Sequence, residues 1–453
     1  MEGLHLKDRV FYKTLLSIAL PIAMQNLISS ALNMVDTLMI GQLGASSIAA
    51  VGQANQVFFQ FVLIMFGINS SCAIFTAQFW GKKDVLNIRK VLGLSLITGS
   101  IVSITFTLSA FFAPRFILSL FIKDPVVIEL GSQYLRVVSI SYLFTTISFA
   151  YSFGCRSIGQ AKLPMVISAI ALLTNTALNY VLIFGKFGFP EMGVRGAALA
   201  TVIARIVETI LVLIIIYSKR GVLAGSLKDM FSLSMSFVKR VFKTGLPVIA
   251  NEAFWALGMI MYTVAFGRIS TEAVASVHIA NTVQNIFMVV AFGMGNACAT
   301  MLGHEIGAGN KERTYSYAIT FSILGTGVGI LLGAGLIVAS PLILSLFNIT
   351  PEVYRASKIV LIISGLLMAV RIFNTQLIIG ILRSGGDTTF SLLLEMGGVW
   401  GVGVPLAFLG ALVFKLPVYW VYALLALEEI TKAALGLPRV LSKKWIKSVV
   451  EHM

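Results

Sequence analysis

Charge is scarce in this chain, and so are the residues on which most enzymes rely. Of 453 residues only 12% are charged, 19 are Asp or Glu, four are His and three are Cys. The histidines, His5, His278, His304 and His452, are dispersed without metal-ligand spacing. There is no GxxxxGKS/T loop, no GxSxG elbow and no CxxC pair, so nucleotide hydrolysis, serine-type acyl transfer and dithiol chemistry have no carrier. No enzyme is expected, and no cofactor. Without a nucleotide site, energy must come from an ion gradient or from the gradient of a transported solute. Cys72, Cys155 and Cys298 are an odd set that reads as small packing residues, not as a disulfide framework.

Apolar residues, by contrast, make up 57% of the chain and mean hydropathy is +0.92, far outside the range of a soluble globular protein. A membrane-spanning helix needs about 20 mainly apolar residues. Twelve stretches qualify, near 14–40, 46–80, 91–113, 131–154, 164–184, 195–218, 245–267, 273–303, 314–339, 358–382, 390–411 and 419–438. They leave no room for a sizeable soluble domain. The polar opening MEGLHLKDRVFYK leads into an apolar run without a small-residue cleavage site, so the first helix is expected to stay in the bilayer.

The +15 net charge follows the topology. When alternate connections are assigned to opposite sides, the side of the amino terminus, counted from Lys7 on, collects 22 of the 34 Lys and Arg, and the other side collects eight. Arg136, Arg205, Arg371 and Lys432 fall inside helices. The positive-inside rule then puts both termini in the cytoplasm of a cell (inner) membrane protein. Basic residues spread over loops in this way give no nucleic-acid surface. Lipids are the expected surroundings, and no obligate protein partner is evident.

Residues 20–81 recur without a gap 226 positions later, with fifteen identities in sixty-two aligned positions. Leu20-Pro21 returns as Leu246-Pro247, Asn55 as Asn281, Gly67 as Gly293 and Cys72 as Cys298. Further on, Leu118-Ser-Leu-Phe121 matches Leu344-Ser-Leu-Phe347, and Arg156-Ser157 matches Arg383-Ser384. The expected fold is an all-α integral membrane protein. It has twelve transmembrane helices in two pseudo-symmetric six-helix lobes, a parallel 6+6 repeat, around a central cleft. The lobes are residues 1–218 and 244–453, joined by a cytoplasmic loop over 219–243. Duplicated membrane units with a site near their interface are typical of secondary transporters.

Carboxylates and amides inside spans are costly, which makes them candidates for function. Asp36 stands in LNMVDTLMIG with Asn33 and Thr37 nearby, and its repeat counterpart is the neutral Tyr262. Asn175 and Asn179, spaced i, i+4, project from one face of the fifth helix, whereas their counterparts near Val402 and Leu406 are apolar. A carboxylate with amide oxygens suits a monovalent cation such as Na+, and a lone buried carboxylate equally suits a proton. Both groups could instead be hydrogen-bonded ties between helices. Glu252 replaces Asn26 of the first copy and is compatible with a cationic substrate, a second proton or a structural bond to Arg371. Glu252, Asn281, Gln284 and Met288 are the candidates for a substrate cleft. Arg205 and Glu208, at i and i+3, should neutralise each other, and Glu395, Glu428, Glu429 and Lys432 offer similar pairs in the last two helices. Five glycines between Gly325 and Gly335 should permit close helix packing.

Taken together, LPIAMQNLISSALNMVDTLMIGQLG, GCRSIGQAKLPM, NTALNYVLIFGKFGFPEMGVRGAALAT and ILRSGGDT with downstream Glu395 resemble the multidrug and toxic compound extrusion (MATE) family over essentially the whole chain. The resemblance implies efflux of small organic, often cationic, compounds in exchange for Na+ or H+ through rocking of two lobes. It also implies an amino-terminal ion site at Asp36, Asn175, Asn179 and a hydroxyl at Thr201. Some members carry Asp where this chain has Asn179, and some carry an acid on helix 10 where this chain has Arg371 and Ile372. The alternative is a flippase of the same broad superfamily moving a lipid-linked precursor, which would need several cations for phosphates. Intramembrane Arg136, Arg205 and Arg371 are the only candidates.

Overall fold

The computed structural model describes residues 8–347 and 349–451, so His5, Lys7 and His452 of the sequence reading lie outside the described residues. Long apolar runs set the architecture, because in a bilayer a backbone must satisfy its own hydrogen bonds and a helix does so within one segment. The first half folds as α1 (Arg9–Gly41), α2 (Ala45–Gly81), α3 (Val85–Phe112), α4 (Pro114–Ser119), α5 (Pro125–Val138), α6 (Ser141–Ser157), α7 (Lys162–Phe184) and α8 (Gly193–Ser218). The second half comprises α9 (Leu227–Phe231), α10 (Met235–Gly267), α11 (Thr271–Gly307), α12 (Lys311–Leu344), α13 (Pro351–Thr375), α14 (Thr388–Gly398), α15 (Val404–Phe408), α16 (Val418–Leu424) and α17 (Ala426–Leu441). Wider π-helical turns over Gln376–Leu382, Val399–Gly403 and Leu409–Val413 continue α13, α14 and α15. No strand occurs among the described residues.

Ten spans are individually long and apolar enough to cross a membrane, and α5 with α6 makes an eleventh bent by 51°. The stretch expected as 131–154 is this bent pair, since Pro125 starts a helix early and Asp124 caps it by accepting from Val126 N–H at 2.9 Å. The stretch expected near 419–438 folds as α16 and α17, where Glu428, Glu429 and Lys432 interrupt the apolar run. The stretch 219–243, expected as a loop, contains α9 and the first turns of α10. Ser234 starts α10 early by accepting from Phe237 N–H at 3.2 Å. Ser226 and Asp229 form a reciprocal capping box on α9, and Arg89 fixes it through Asp229 at 3.1 Å.

Two compact units emerge, and both α1 and α2 are divided between them. The amino-terminal unit holds Met24–Thr76 and Lys83–Lys239. The carboxy-terminal unit holds the described residues up to Ala23, Ala77–Lys82 and the chain from Arg240 on. Within the first, Ile40, Val57, Leu118, Tyr134, Leu135 and Ile183 share one buried cluster, so α1, α2, α4, α5 and α7 are locked together around the candidate site. In the second, α12 lies against α13 at backbone contact. A methyl on Gly325, Gly329 or Gly333 would come within 2.1–2.5 Å of α13 or of the Gln376 side chain just beyond it, whereas Gly327 faces open space. Of the glycine run read from the sequence, this i+4 stripe therefore makes the close approach.

Two arginines counted as loop charges are turned inward. Arg383 is 2% exposed and pairs with Glu252, and the Arg156 guanidinium donates to Gln25 Oε1 at 2.6 Å. Each sits at the end of a span, where a long side chain can fold back to an acceptor on the first helix of its repeat. Arg136, read as intramembrane, is exposed and donates to Phe111 O at 3.2 Å. The three cysteines are buried and free.

Beyond α17 the chain folds back over its own unit. Trp445 is fully buried, Gln78 Oε1 accepts from Val449 N–H at 2.8 Å, and Lys82 donates to Val450 O at 2.6 Å. Asp387 anchors this tail through Arg439 at 2.7 Å and Lys447 at 2.8 Å. Burial alone would raise its carboxyl, but these two cationic donors outweigh burial and hold it below the ordinary value.

Candidate functional site

Three helices of the amino-terminal unit aim polar groups at one point. From α1 comes Asp36, from α7 the i, i+4 pair Asn175 and Asn179, and from α8 Thr201. Asn175 and Asn179 are 6% and 2% exposed, so their amides must be satisfied inside the protein. Asn179 Nδ2 donates to Asp36 Oδ1 at 2.9 Å. The Asn175 amide satisfies both of its ends when its nitrogen donates to Asp36 Oδ2 at 2.7 Å and its oxygen accepts from Thr201 N–H at 3.2 Å. The opposite orientation, related by a half turn, places Nδ2 3.3 Å from Thr201 Oγ1. The first orientation is the one that satisfies both atoms, so Asn175 presents its nitrogen to Asp36. Thr201 Oγ1 donates to Ala197 O at 3.1 Å, which leaves its lone pairs to accept. Asn179 Oδ1 is buried with no hydrogen-bond partner.

This cluster borders a cavity of about 440 Å³ whose wall also includes Asn33, Asn55, Phe58, Phe59, Tyr134 and Arg205. Thr37 lies on the wall too, but its hydroxyl is spent on Asn33 O at 2.9 Å. The one arginine of the lining is already neutralised, since Arg205 donates to Glu208 at 2.7 Å. Behind it the hydrogen bonds continue from Ser168 to Glu208 Oε1 at 2.7 Å and from Gln25 to Ser168 at 2.8 Å. The partners of Asp36 are thus amides, not cations. A carboxylate beside phenyl rings and balanced only by amide dipoles has a strong demand for positive charge. The carboxylate, the unpartnered Asn179 Oδ1 and the Thr201 hydroxyl fit a proton or a small monovalent cation. Such a group would neutralise Asp36, and these residues would hold it.

All five residues expected at the ion site, Asp36, Asn175, Asn179, Thr201 and Asn33, therefore line one cavity. The substrate-cleft candidates have separate surroundings in the carboxy-terminal unit. Glu252 bonds Arg383 at 2.7 Å, with side-chain exposures of 14% and 3%, so its partner is Arg383 and not Arg371. Gln284 is buried and accepts from the Tyr422 hydroxyl at 3.3 Å. Met288 packs in the hydrophobic cluster with Met368 and Leu336, and Asn281 is half-buried.

One group was legible in the sequence only in part. Tyr262 donates to Glu428 of α17, and Lys432 bridges Glu428 at 2.6 Å and Glu395 of α14 at 2.7 Å. Arg371 lies 3.6 Å from Glu429 and donates to Tyr422 at 3.1 Å. The pairing of Glu395, Glu428 and Lys432 is visible in their residue types, but the arrival of a tyrosine 166 residues away is not. On the cavity wall Tyr134 was also missed, and Arg205 was expected only as the partner of Glu208. Tyr134 reaches it from α5.

A family model described as MatE matches residues 21–181 and again 247–409, two matches that start 226 residues apart like the repeat itself. The chain is 26% identical over 443 residues to a probable multidrug resistance protein NorM of Thermotoga maritima, covering 97% of this chain and 94% of that protein. It is 24% identical to the uncharacterized transporter YisQ of Bacillus subtilis, covering 97% and 96%. Among solved structures it is similar to a MATE in complex with MaL6, with TM-score 0.87, 20% identity and coverage of 98% and 99%. It is also similar to a MOP superfamily transporter from Pyrococcus furiosus whose binding pocket is described as having reverse polarity, with TM-score 0.86, 19% identity and coverage of 98% and 99%.

Proposed function

Since the chain belongs to the MatE family of multi-span membrane transporters, whose relatives include multidrug resistance proteins, we propose that it exports small organic, often cationic, compounds in exchange for Na+ or H+. Coupling acts through Asp36. The observation that carries this reading is the carboxylate without a cationic partner on the wall of the 440 Å³ cavity. An organic cation and Na+ each pair with the charged Asp36, and a proton removes that charge, so occupancy by the ion disfavours the substrate. That competition is what exchange requires, and by linkage the effect is reciprocal.

Each neighbour has a part. Asn179 and Asn175 orient both carboxylate oxygens, and Thr201 offers an additional oxygen. Phe58 and Phe59 supply apolar and cation–π surface to a flat organic cation. Access alternates between the two sides of the cell membrane, with the 22-cation side and both termini in the cytoplasm. A lipid-linked phosphate fits this cavity poorly, because its single arginine is already engaged by Glu208.

The test is efflux of ethidium from vesicles containing the purified protein. An imposed Na+ gradient is applied first, then an imposed pH gradient. One of the two should drive efflux and thereby identify the ion, and efflux indifferent to both would reject exchange.

A further inference from the structure

We propose that the carboxy-terminal unit contains a second proton-binding site, the Glu395–Lys432–Glu428 triad. Lys432 Nζ sits 2.7 Å from Glu395 and 2.6 Å from Glu428, and the three side chains are only 5–8% exposed. Two carboxylates thus share one ammonium. The neighbouring pair gives no relief, because Arg371 is matched by Glu429 at 3.6 Å. Together three carboxylates meet two cations, and the surplus negative charge lies inside a span. Two carboxylates that share a site cannot both ionise cheaply, so one of them takes a proton that belongs to the pair.

The surroundings are built for such a group. The phenol of Tyr262, from α10, donates to Glu428 on the side away from Lys432. Gly398, the last residue of α14, and Gly403, in the π-helical turn Val399–Gly403, lie against the triad. A methyl on Gly398 would come within 2.5 Å of Lys432 Cε, and one on Gly403 within 2.5 Å of Glu428 Oε2 and closer still to the tyrosine oxygen. Wide turns of this type recur at functional sites. Asn374, 3% exposed, donates to Glu429 at 2.7 Å, while its own Oδ1 is buried without a donor. From α16, Tyr422 faces Arg371. The ammonium already stands where a metal cation would bridge the two carboxylates, so the exchangeable species is a proton and not Na+.

Infrared spectroscopy of the full-length Asp36→Asn protein in lipid tests this directly, and that background separates the outcome from the fate of the Asp36 reading. At neutral pH the spectrum should contain the C=O stretch of a protonated carboxylic acid, displaced in D2O. Glu395→Gln or Glu428→Gln should each remove that band, and Lys432→Gln should increase it. Tyr262→Phe, which alters a single hydroxyl, should shift its frequency and decides the matter if the glutamine variants do not fold. No such band in the Asp36→Asn protein, a band unchanged by both glutamine substitutions, or one indifferent to Tyr262→Phe would overturn the proposal.

Discussion

Asp36 and Tyr262 hold the same place in the two copies of the repeat, and each makes a hydrogen bond within its own unit. Asp36 brings a charge and meets neutral amides of α7. Tyr262 brings none and meets a carboxylate of α17 that is already bonded to Lys432. The amino-terminal unit therefore lacks a positive charge at this position, and the carboxy-terminal unit has one built in. Where the cation is a side chain, it is fixed; where it is missing, the proposed exchange has a place for one. Duplication supplied the scaffold, and the copies differ both at this position and at the Asn175 and Asn179 pair, whose counterparts are apolar.

The strongest way to break this comparison is to remove the resident cation. Lys432→Met leaves two buried carboxylates without their ammonium and should destabilise the protein by about 3–5 kcal/mol, read as a lower thermal midpoint in detergent. If stability is unchanged, the charge in the carboxy-terminal unit is not held as described. Next in size is Asp36→Asn, which keeps the shape of the site and removes its charge. Exchange in vesicles should fall about 100-fold, at the upper end of a typical coupling energy, while the thermal midpoint stays close to that of the parent. A comparable loss of stability would make Asp36 a structural tie.

Tyr262→Phe removes one donor from Glu428 and should cost about 1–2 kcal/mol, with transport affected far less than by Asp36→Asn. Equal effects on transport would erase the distinction between the two places. The smallest effect concerns the tail. Asp387 is held below its ordinary value near 3.8 by Arg439 and Lys447. Its contribution is complete above the unfolded value and is lost as pH falls through the lower folded value. Asp387→Asn should flatten the acid limb of a stability–pH curve and leave the site in α1 and α7 untouched.

Much of this architecture is legible in the sequence, because span length and apolar content are fixed by the bilayer. The repeat and the spans near 46–80, 164–184 and 195–218 closely match α2, α7 and α8. The i, i+4 spacing of Asn175 and Asn179 likewise fixes their common face. What escapes is set by side chains that reach across a unit. The Arg383 side chain turns from the end of its span to Glu252, and Tyr262 meets a glutamate from the last helix. The bend between α5 and α6 escapes as well, since an apolar run does not reveal where Ser139 and Ile140 break it. Repeat comparison marked position 262 as different from 36, and only the packing of α17 shows what replaced the carboxylate.

The most direct test of the central claim, that Asp36 is where ion and substrate compete, is equilibrium binding of ethidium to the purified protein. Affinity is measured against rising Na+ at fixed pH and against falling pH without Na+. One of these series should weaken binding in the parent protein, and both should leave binding to Asp36→Asn flat. An Asp36→Asn protein whose affinity still responds to the ion as the parent does would contradict the account.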